Sequence, residues 1–372
     1  MRASLADMNF DALLKPFEQD SAGGVDPRED FSPQAPYRAL RTARNAARTT
    51  ERAADADPSL EQTPPPEWRS VRQLGVKLLT ETCKDVEVAA WLTEALVRAE
   101  GLAGLTAGAQ LIAGLVRGFW EQGLLPKVES DGIADRVAPV EGLSGATGDG
   151  TIVQPLRKLV LFSRPDGTPV PLYVYDASVK LKGETDANRI KQRIAAGGIP
   201  FDDIERDAKI AGAAVFTALR GEARAALAAW QDMAEAFDAV AGIDGPSTTR
   251  VRSVLESILE VANRFAPPEA AAPEAPPDDA IVMDETGTPA PAGKAASAQP
   301  AAVSRDDMLR ELGRIAEYFR RTEPHSPLAY TLDEAVRRGR LSLPELLEEL
   351  VPDFGARGAI LTQLGIKPQK PG

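Results

Sequence analysis

Cysteine and histidine are nearly absent, since the 372 residues hold one of each, Cys83 and His325. A lone cysteine excludes an internal disulfide, and a lone histidine removes most zinc sites and histidine-dependent triads. Positive charge is also short. Lys and Arg total 43 against 55 Asp and Glu, a net of −12, which disfavours nucleic acid or anionic lipid as a partner because phosphate binding needs clustered cations. The opening MRASLADMNFDALL carries Asp7 and no apolar run, so no export signal is read there and a cytoplasmic location is expected.

Long apolar runs are scarce too. GLAGLTAGAQLIAGLVRGFW, residues 101–120, has the length to cross a bilayer and a single charge, Arg117. Only eight of its twenty residues are Leu, Ile, Val, Phe or Trp, and five are Gly, which contributes almost no transfer free energy. No direct membrane insertion is expected. At 100° per residue Leu102, Leu105, Ala109, Ile112, Val116 and Phe119 form one stripe, with Thr106, Gln110 and Arg117 on another face. That is an amphipathic core helix, its glycines allowing neighbouring helices to approach closely.

Motifs with chemistry are equally thin. GATGDGT, residues 145–151, has glycines near phosphate-loop spacing but no lysine and no preceding strand, so it reads as a flexible loop. Cys83 has no local His or Asn partner and reads as an incidental thiol. His325 lies in a stiff Glu-Pro-His-Ser-Pro turn, where Ser326 can cap the next helix; a titrating switch is the alternative. Glu348-Glu349 and Asp202-Asp203 look like solvated helix faces. No catalytic, cofactor-binding or metal residue is assigned, no cofactor is implied, and an enzyme is not expected.

What the chain does have is helical periodicity. Its hydrophobic fraction, 43%, suffices for real cores, and the fold class read here is all-α: helical bundles joined by a disordered Pro/Ala-rich linker, with one possible β-hairpin near 158–176. An arm rich in turn formers, 21–37, precedes the helices. Trp68, Val71, Leu74, Leu78 and Leu79, then Val88, Trp91, Leu92, Ala95 and Leu96, follow a 3.6 period. With 101–120 they predict three consecutive antiparallel helices with connections of roughly four to five residues. Trp68, Trp91, Leu92, Leu102, Leu105, Phe119 and Trp120 are the expected core of this part. Two β-prone runs flank Pro165-Asp166-Gly167, with Pro169 and Pro171 confining any hairpin to an edge. Further helices carry Leu227, Trp230, Met233, Phe237 and Val240, and Val251, Val254, Leu255, Ile258, Val261 and Ala262. The segmentation expected is 1–176, 177–265, a linker 266–303 and a terminal module 304–372. In that linker 21 of 38 residues are Pro or Ala, with six acids and one lysine, too little apolar surface to offset ordering entropy. As a flexible tether it would span on the order of 35 Å.

The terminal module has clear punctuation. Ser304 and Asp307 suggest a capped start to a helix with Met308, Leu312, Ile315 and Phe319; a second carries Leu328, Leu332, Ala335 and Val336 and is expected to end at Gly339. A third follows Leu341-Ser342-Leu343 with Leu346, Leu347, Leu350 and Val351, and a last short one holds Ile360, Leu361 and Leu364. About 65 residues make a marginal core, so self-association is a natural source of stability. The candidate oligomer interface is Pro324, His325, Ser326, Pro327, Leu328, Leu332, Leu343, Leu346, Leu347 and Leu350.

Two stretches together resemble a known family. Residues 67–120 resemble the ImpA-type N-terminal domain of the TssA family of bacterial type VI secretion, and NFDALLKPFEQDSAGGVDPRED resembles that family's opening arm. Residues 310–350 are similar to the terminal module of its shorter members. The resemblance implies a non-enzymatic structural component that forms a ring-like homo-oligomer through its C-terminal module. It also implies baseplate, sheath and tube proteins as partners in baseplate and tail assembly. Gly24-Val25-Asp26 departs from the family's usual Gly-Glu-Asp, so arm contacts need not transfer. The lack of a long apolar C-terminal extension leans toward the baseplate-associated kind. The alternative is a monomeric or dimeric adaptor that binds proteins through the N-terminal bundle.

Overall fold

The computed structural model describes residues 5, 8–18, 21–57, 63–128, 132–267, 316, 319–320, 327–341, 346–347, 349 and 357. In chain order they form α1 (Phe10–Leu14), α2 (Pro36–Ala56), α3 (Glu67–Glu81), α4 (Val86–Phe119), α5 (Ala134–Ser144), α6 (Val153–Arg157), β1 (Val160–Ser163), β2 (Pro169–Pro171), α7 (Leu172–Lys182), α8 (Ala187–Ala195), α9 (Phe201–Ala211), α10 (Ala213–Ala241), α11 (Thr249–Phe265) and α12 (Leu328–Arg340). The chain divides into two units, Met1–Ala275 and Pro276–Gly372.

The all-α reading holds. The apolar stretch Val86–Phe119 has the length and hydropathy to span a bilayer, yet it is two helices. Gly101 sits at φ 58°, ψ −127°, a left-handed backbone that a side chain strongly disfavours, and there the chain reverses. A Cβ on Gly104 would lie 2.1 Å from the Leu96 carbonyl oxygen, and one on Gly108 2.4 Å from Thr93 Oγ1. Residues 86–100 and 102–119 are therefore antiparallel limbs in backbone contact, joined by one glycine rather than a four- to five-residue loop. The connection from α3 into α4, residues 82–85, does have the expected length.

The stripe on the second limb is buried, and so are Ala107, Leu111, Ala113 and Leu115 beside it. Partners on several sides explain this: Gly75 of α3 faces Leu92 across a 3.3 Å gap for a Cβ, and α10 also lies against α4. Even the polar face is used, because Arg117 makes a bidentate pair with Asp232 of α10 (2.6 and 2.8 Å). On α10, Trp230, Met233 and Phe237 are fully buried, while Val240 is exposed. All six apolar residues expected on α11 are buried. One cluster runs from Leu13 to Ala262, so residues on both sides of position 176 share a core.

The hairpin forms at the expected turn. β1 and β2 are antiparallel with Phe162 opposite Val170 and Ser163 opposite Pro169, and a bulge follows Val160. Gly167 (φ 85°) supplies the positive φ, and Asp166 Oδ1 accepts from Thr168 N at 2.9 Å. The second β-prone run does not continue as strand. Pro171 N-caps α7, and Leu172, Tyr175 and Leu181 turn into the core.

Of the Pro276–Gly372 unit, α12 is described most fully. It runs through Gly339 to Arg340 with Leu341 as C-cap in extended backbone, so Gly339 lies inside the last turn rather than ending the helix. Its buried residues are Ala329 and Val336; Ala335 is exposed and Leu332 half-buried. Arg337 and Arg338 both pair with Glu334 and Glu349. The expected linker from 268 onward, and Met308, Leu312 and Ile315, lie outside the described residues.

Candidate functional site

Among the described residues, polar side chains gather most densely where the arm and α2 are fastened onto α4. Asp26 caps the short 3-10 turn Pro27–Glu29 by accepting from Arg28 N at 3.0 Å. That turn aims the Arg28 guanidinium at Asp85 Oδ2 (2.7 Å), Asp26 Oδ1 (3.1 Å) and Glu87 Oε2 (2.6 Å). Asp85 also caps the first limb of α4, accepting from Glu87 N (2.8 Å) and Val88 N (3.1 Å). Tyr37 donates to Glu87 Oε2 at 2.5 Å and lies beneath Arg28, 4.9 Å from guanidinium carbon to ring centroid. Burial, then Glu87, push the Tyr37 hydroxyl well above the usual phenol range. Backbone bonds finish the clamp: Val25 N donates to Thr82 O (3.0 Å), Lys84 N to Gly23 O (2.7 Å) and Gly23 N to Gln122 O (3.1 Å). The arm is ordered along this length.

From Tyr37 the construction continues as a ladder between α2 and the first limb of α4. Tyr37 stacks on Trp91 at 5.6 Å, and Arg44 covers that indole at 5.0 Å. Arg44 forks onto Glu94 (2.7 and 3.1 Å), which is buried and also accepts from Thr151 Oγ1 at 2.7 Å. One turn on, Arg98 forks onto Glu51 (2.6 and 2.9 Å), donates to Glu94 O and Thr151 O, and covers Trp68 at 4.1 Å. Trp68 Nε1 donates to Glu51 Oε1 at 2.8 Å. Cation, carboxylate and indole alternate because each arginine needs a partner when its neighbours are apolar, and Arg alone offers a planar fork that also stacks.

Lys84, unlike the half-buried arginines of the ladder, is fully buried. Its Nζ donates to Leu13 O (2.8 Å) and Leu79 O (2.7 Å) and lies over Phe17 (4.5 Å) and Phe119 (5.9 Å). The ammonium therefore ties α1 to the C-terminal end of α3. Burial lowers its pKa to about 8 from 10.5, partly opposed by Cys83. The folded protein releases this proton more readily than the unfolded chain, so the Lys84 contribution to stability rises with pH between about 8 and 10.5, while the Cys83 thiol, pushed up by burial, opposes it from about pH 9. Urea titrations at pH 8 and pH 10 should show this rise as a difference between the native chain and Lys84→Met, at most about 1.4 kcal/mol per pH unit, because the Cys83 contribution is common to both.

Of the residues singled out in the sequence, Trp68, Trp91, Leu92, Leu102, Leu105 and Phe119 are buried here. Trp120 is half-buried, edge-on to Phe237 (6.1 Å) and beneath Arg136 (4.8 Å). The tryptophans thus serve as platforms for arginines as well as core. Among the interface candidates Pro327 is exposed, and Leu332, Leu346 and Leu347 are half-buried. Leu328 opens α12. Pro324, His325, Ser326, Leu343 and Leu350 lie outside the described residues. Sequence reasoning passed over Arg28, Arg44, Glu51, Glu94 and Arg98, whose partners lie 47 to 59 positions away. No local spacing announces them.

The GATGDGT loop is better ordered than expected. Gly150 N donates to Ser144 O and Thr151 N to Gly142 O, while Asp149 takes Arg157 (2.6 Å) and Arg250 (3.4 Å). The loop thus carries an acid held by two arginines. Cys83 is buried and burial pushes its thiol up, away from the reactive thiolate. A cavity of about 290 Å³ beside Gly101 is bordered by Glu51, Arg98, Asp55 and Lys158, already joined as two ion pairs. Among the described residues no three His, Cys, Asp or Glu side chains gather to hold a metal. What this arrangement does chemically is fix helices in register.

The family model for ImpA, N-terminal, type VI secretion system matches residues 14–145, the region containing the clamp and most of the ladder. The type VI secretion system component TssA1 of Pseudomonas aeruginosa is 31% identical over 298 residues, covering 78% of this chain and 81% of that protein. The chain belongs to the TssA family. A solved structure agrees: the N-terminal domain of the TssA component from Burkholderia cenocepacia, including its conserved ImpA_N region, superposes with a TM-score of 0.56 at 26% identity. The match covers 69% of this chain and 93% of that one. In this TssA chain the arm is seated despite the Gly24-Val25-Asp26 departure, because Asp26 caps the turn and pairs with Arg28. The chain is a component of the type VI secretion system by kinship.

Proposed function

We propose that this TssA chain is a non-enzymatic scaffold of the type VI secretion apparatus, acting in the cytoplasm in baseplate and tail sheath and tube assembly. The terminal module, 304–372, is its oligomerisation domain and builds a ring. The 266–303 segment tethers the helical N-terminal unit, which meets baseplate, sheath or tube subunits. The observation that carries this reading is the match over 298 residues and about four-fifths of TssA1, longer than the 14–145 region that the family model matches. It is supported by the helical unit itself, whose buried polar groups clamp helices together. Assembly in a ring multiplies weak contacts through effective concentration.

Negative-stain images of the purified chain test the proposal. Rings are expected from the full chain, and particles without rings from a chain ending at residue 303. Rings persisting after that truncation would move the assembly surface elsewhere.

A further inference from the structure

Helix α2 runs against the charge of the chain. Its 21 residues hold five arginines, no lysine and two acids, Glu51 and Asp55, in a protein of net −12. Both acids are already paired, with Arg98 and Lys158, and of the five arginines Arg44 alone has a carboxylate, that of Glu94. At 100° per residue the other four, Arg38, Arg41, Arg48 and Arg52, fall within about 80° of arc, a single file about 21 Å long. Arg38, Arg41 and Arg52 are exposed and Arg48 is half-buried. The guanidiniums of Arg38, Arg41 and Arg48 make no hydrogen bond or ion pair among the described residues, and that of Arg52 meets only the Thr49 hydroxyl at 3.4 Å. Arg38 acts on the Asp30 carboxylate through space alone. Arg44, Arg48 and Arg52 stand four residues apart in succession, the spacing at which like charges repel on a helix. Arg48 registers this: burial lowers its pKa, Glu94 opposes the shift, and Arg44, Arg52 and Arg98 each add to it. An anion laid along the file relieves that repulsion.

We propose that the arginine file of α2 is a docking surface for an acidic helix of a partner protein, one with Asp or Glu repeating every three or four positions along one face. The proposal rests on the part of the proposed function in which the N-terminal unit meets other subunits, and gives that contact a chemistry. A helix laid alongside α2 has the same rise per residue, so carboxylates at that repeat meet arginines that are themselves three, seven and four positions apart. Each guanidinium fork then takes both oxygens of a carboxylate. A lipid surface fits poorly, because Asn45 stands among the arginines, Thr49 stands beside them and no large apolar side chain shares their arc. A nucleic-acid duplex fits poorly as well, since it sets two rows of phosphate on either side of a groove about 12 Å wide, and the arginines form one row.

Fluorescence anisotropy with the full chain at low salt tests it. The probes are a labelled alanine-based helical peptide carrying glutamate at alternating three- and four-residue intervals, and the same peptide with glutamine in their place. The glutamate helix should bind at least tenfold more tightly, and salt near 1 M, which shortens the screening length to about 3 Å, should remove the preference. Arg41→Gln with Arg52→Gln, which deletes two exposed charges without an acid partner, should weaken the glutamate helix about tenfold. Arg41→Glu with Arg52→Glu should transfer the preference to the same helix carrying lysines, a gain that an unfolded chain would not show. Equal binding of the glutamate and glutamine helices by the native chain, or binding indifferent to Arg41→Gln with Arg52→Gln, overturns the surface. A short DNA duplex or vesicles of anionic phospholipid that bind more tightly than the glutamate helix, and are lost in the same variant, overturn the acidic partner in favour of phosphate. Negative-stain images of the same sample keep the two readings apart. Rings without glutamate-helix binding overturn this contact alone, and binding without rings upholds the contact while removing the ring.

Discussion

Glu94→Ala should destabilise the N-terminal unit by about 3–5 kcal/mol, the usual result of removing one member of a buried ion pair. The Glu94 side chain is 1% exposed and Arg44 only 14%, so solvent cannot replace the lost carboxylate. Both Arg44 nitrogens and the Thr151 hydroxyl would be left without their acceptor in the gap between α2 and α4. A domain's whole stability is commonly about 5–15 kcal/mol, so this one truncation removes a large share. Thr151→Val, which deletes a single neutral donor, should cost only about 1 kcal/mol. Urea unfolding followed by circular dichroism measures both. Near-equal effects of the two substitutions would mean the carboxylate does not anchor the ladder.

Gly104→Ala is the second large effect, at roughly 2–4 kcal/mol. The added methyl would stand 2.1 Å from the Leu96 carbonyl oxygen and 2.4 Å from its carbon. Backbone cannot swing aside as a side chain can, so the limbs of α4 would have to part and lose packing along the hairpin. Gly118 is the control. It lies on the same limb, and a methyl there would meet nothing within 4 Å, so Gly118→Ala should stabilise by about 0.5–1 kcal/mol through helix propensity. Opposite signs at two glycines of one helix would establish that close limb approach, rather than glycine content, shapes this hairpin. Matching signs would contradict it.

These two sites mark how far the sequence could be read. Period 3.6 located α3, both limbs of α4, α10 and α11, because burial of an apolar stripe is written locally. Pro165-Asp166-Gly167 located the hairpin turn for the same reason. The glycines at 101, 104 and 108 announced close packing, but whether they flanked a loop or made a direct reversal depended on the φ of Gly101, which composition does not encode. Gly339 shows the converse: a residue suited to end α12 sits inside it, the helix continuing to Arg340 with four ion pairs from Arg337 and Arg338 nearby. The ladder was illegible. Arg44 and Glu94 each look like one more charge on an amphipathic helix, and only the tertiary fold brings them together and removes the water. Lys84 was hidden likewise, since its acceptors are the main-chain carbonyls of Leu13 and Leu79, which every residue possesses.

The proposed scaffold role depends most directly on self-association, and sedimentation velocity of the full-length chain at tens of micromolar measures it. The account predicts a discrete species many times the 39.6 kDa of one chain, lost when residues 304–372 are removed. A single 39.6 kDa species at that concentration would contradict it and leave a monomeric adaptor in its place.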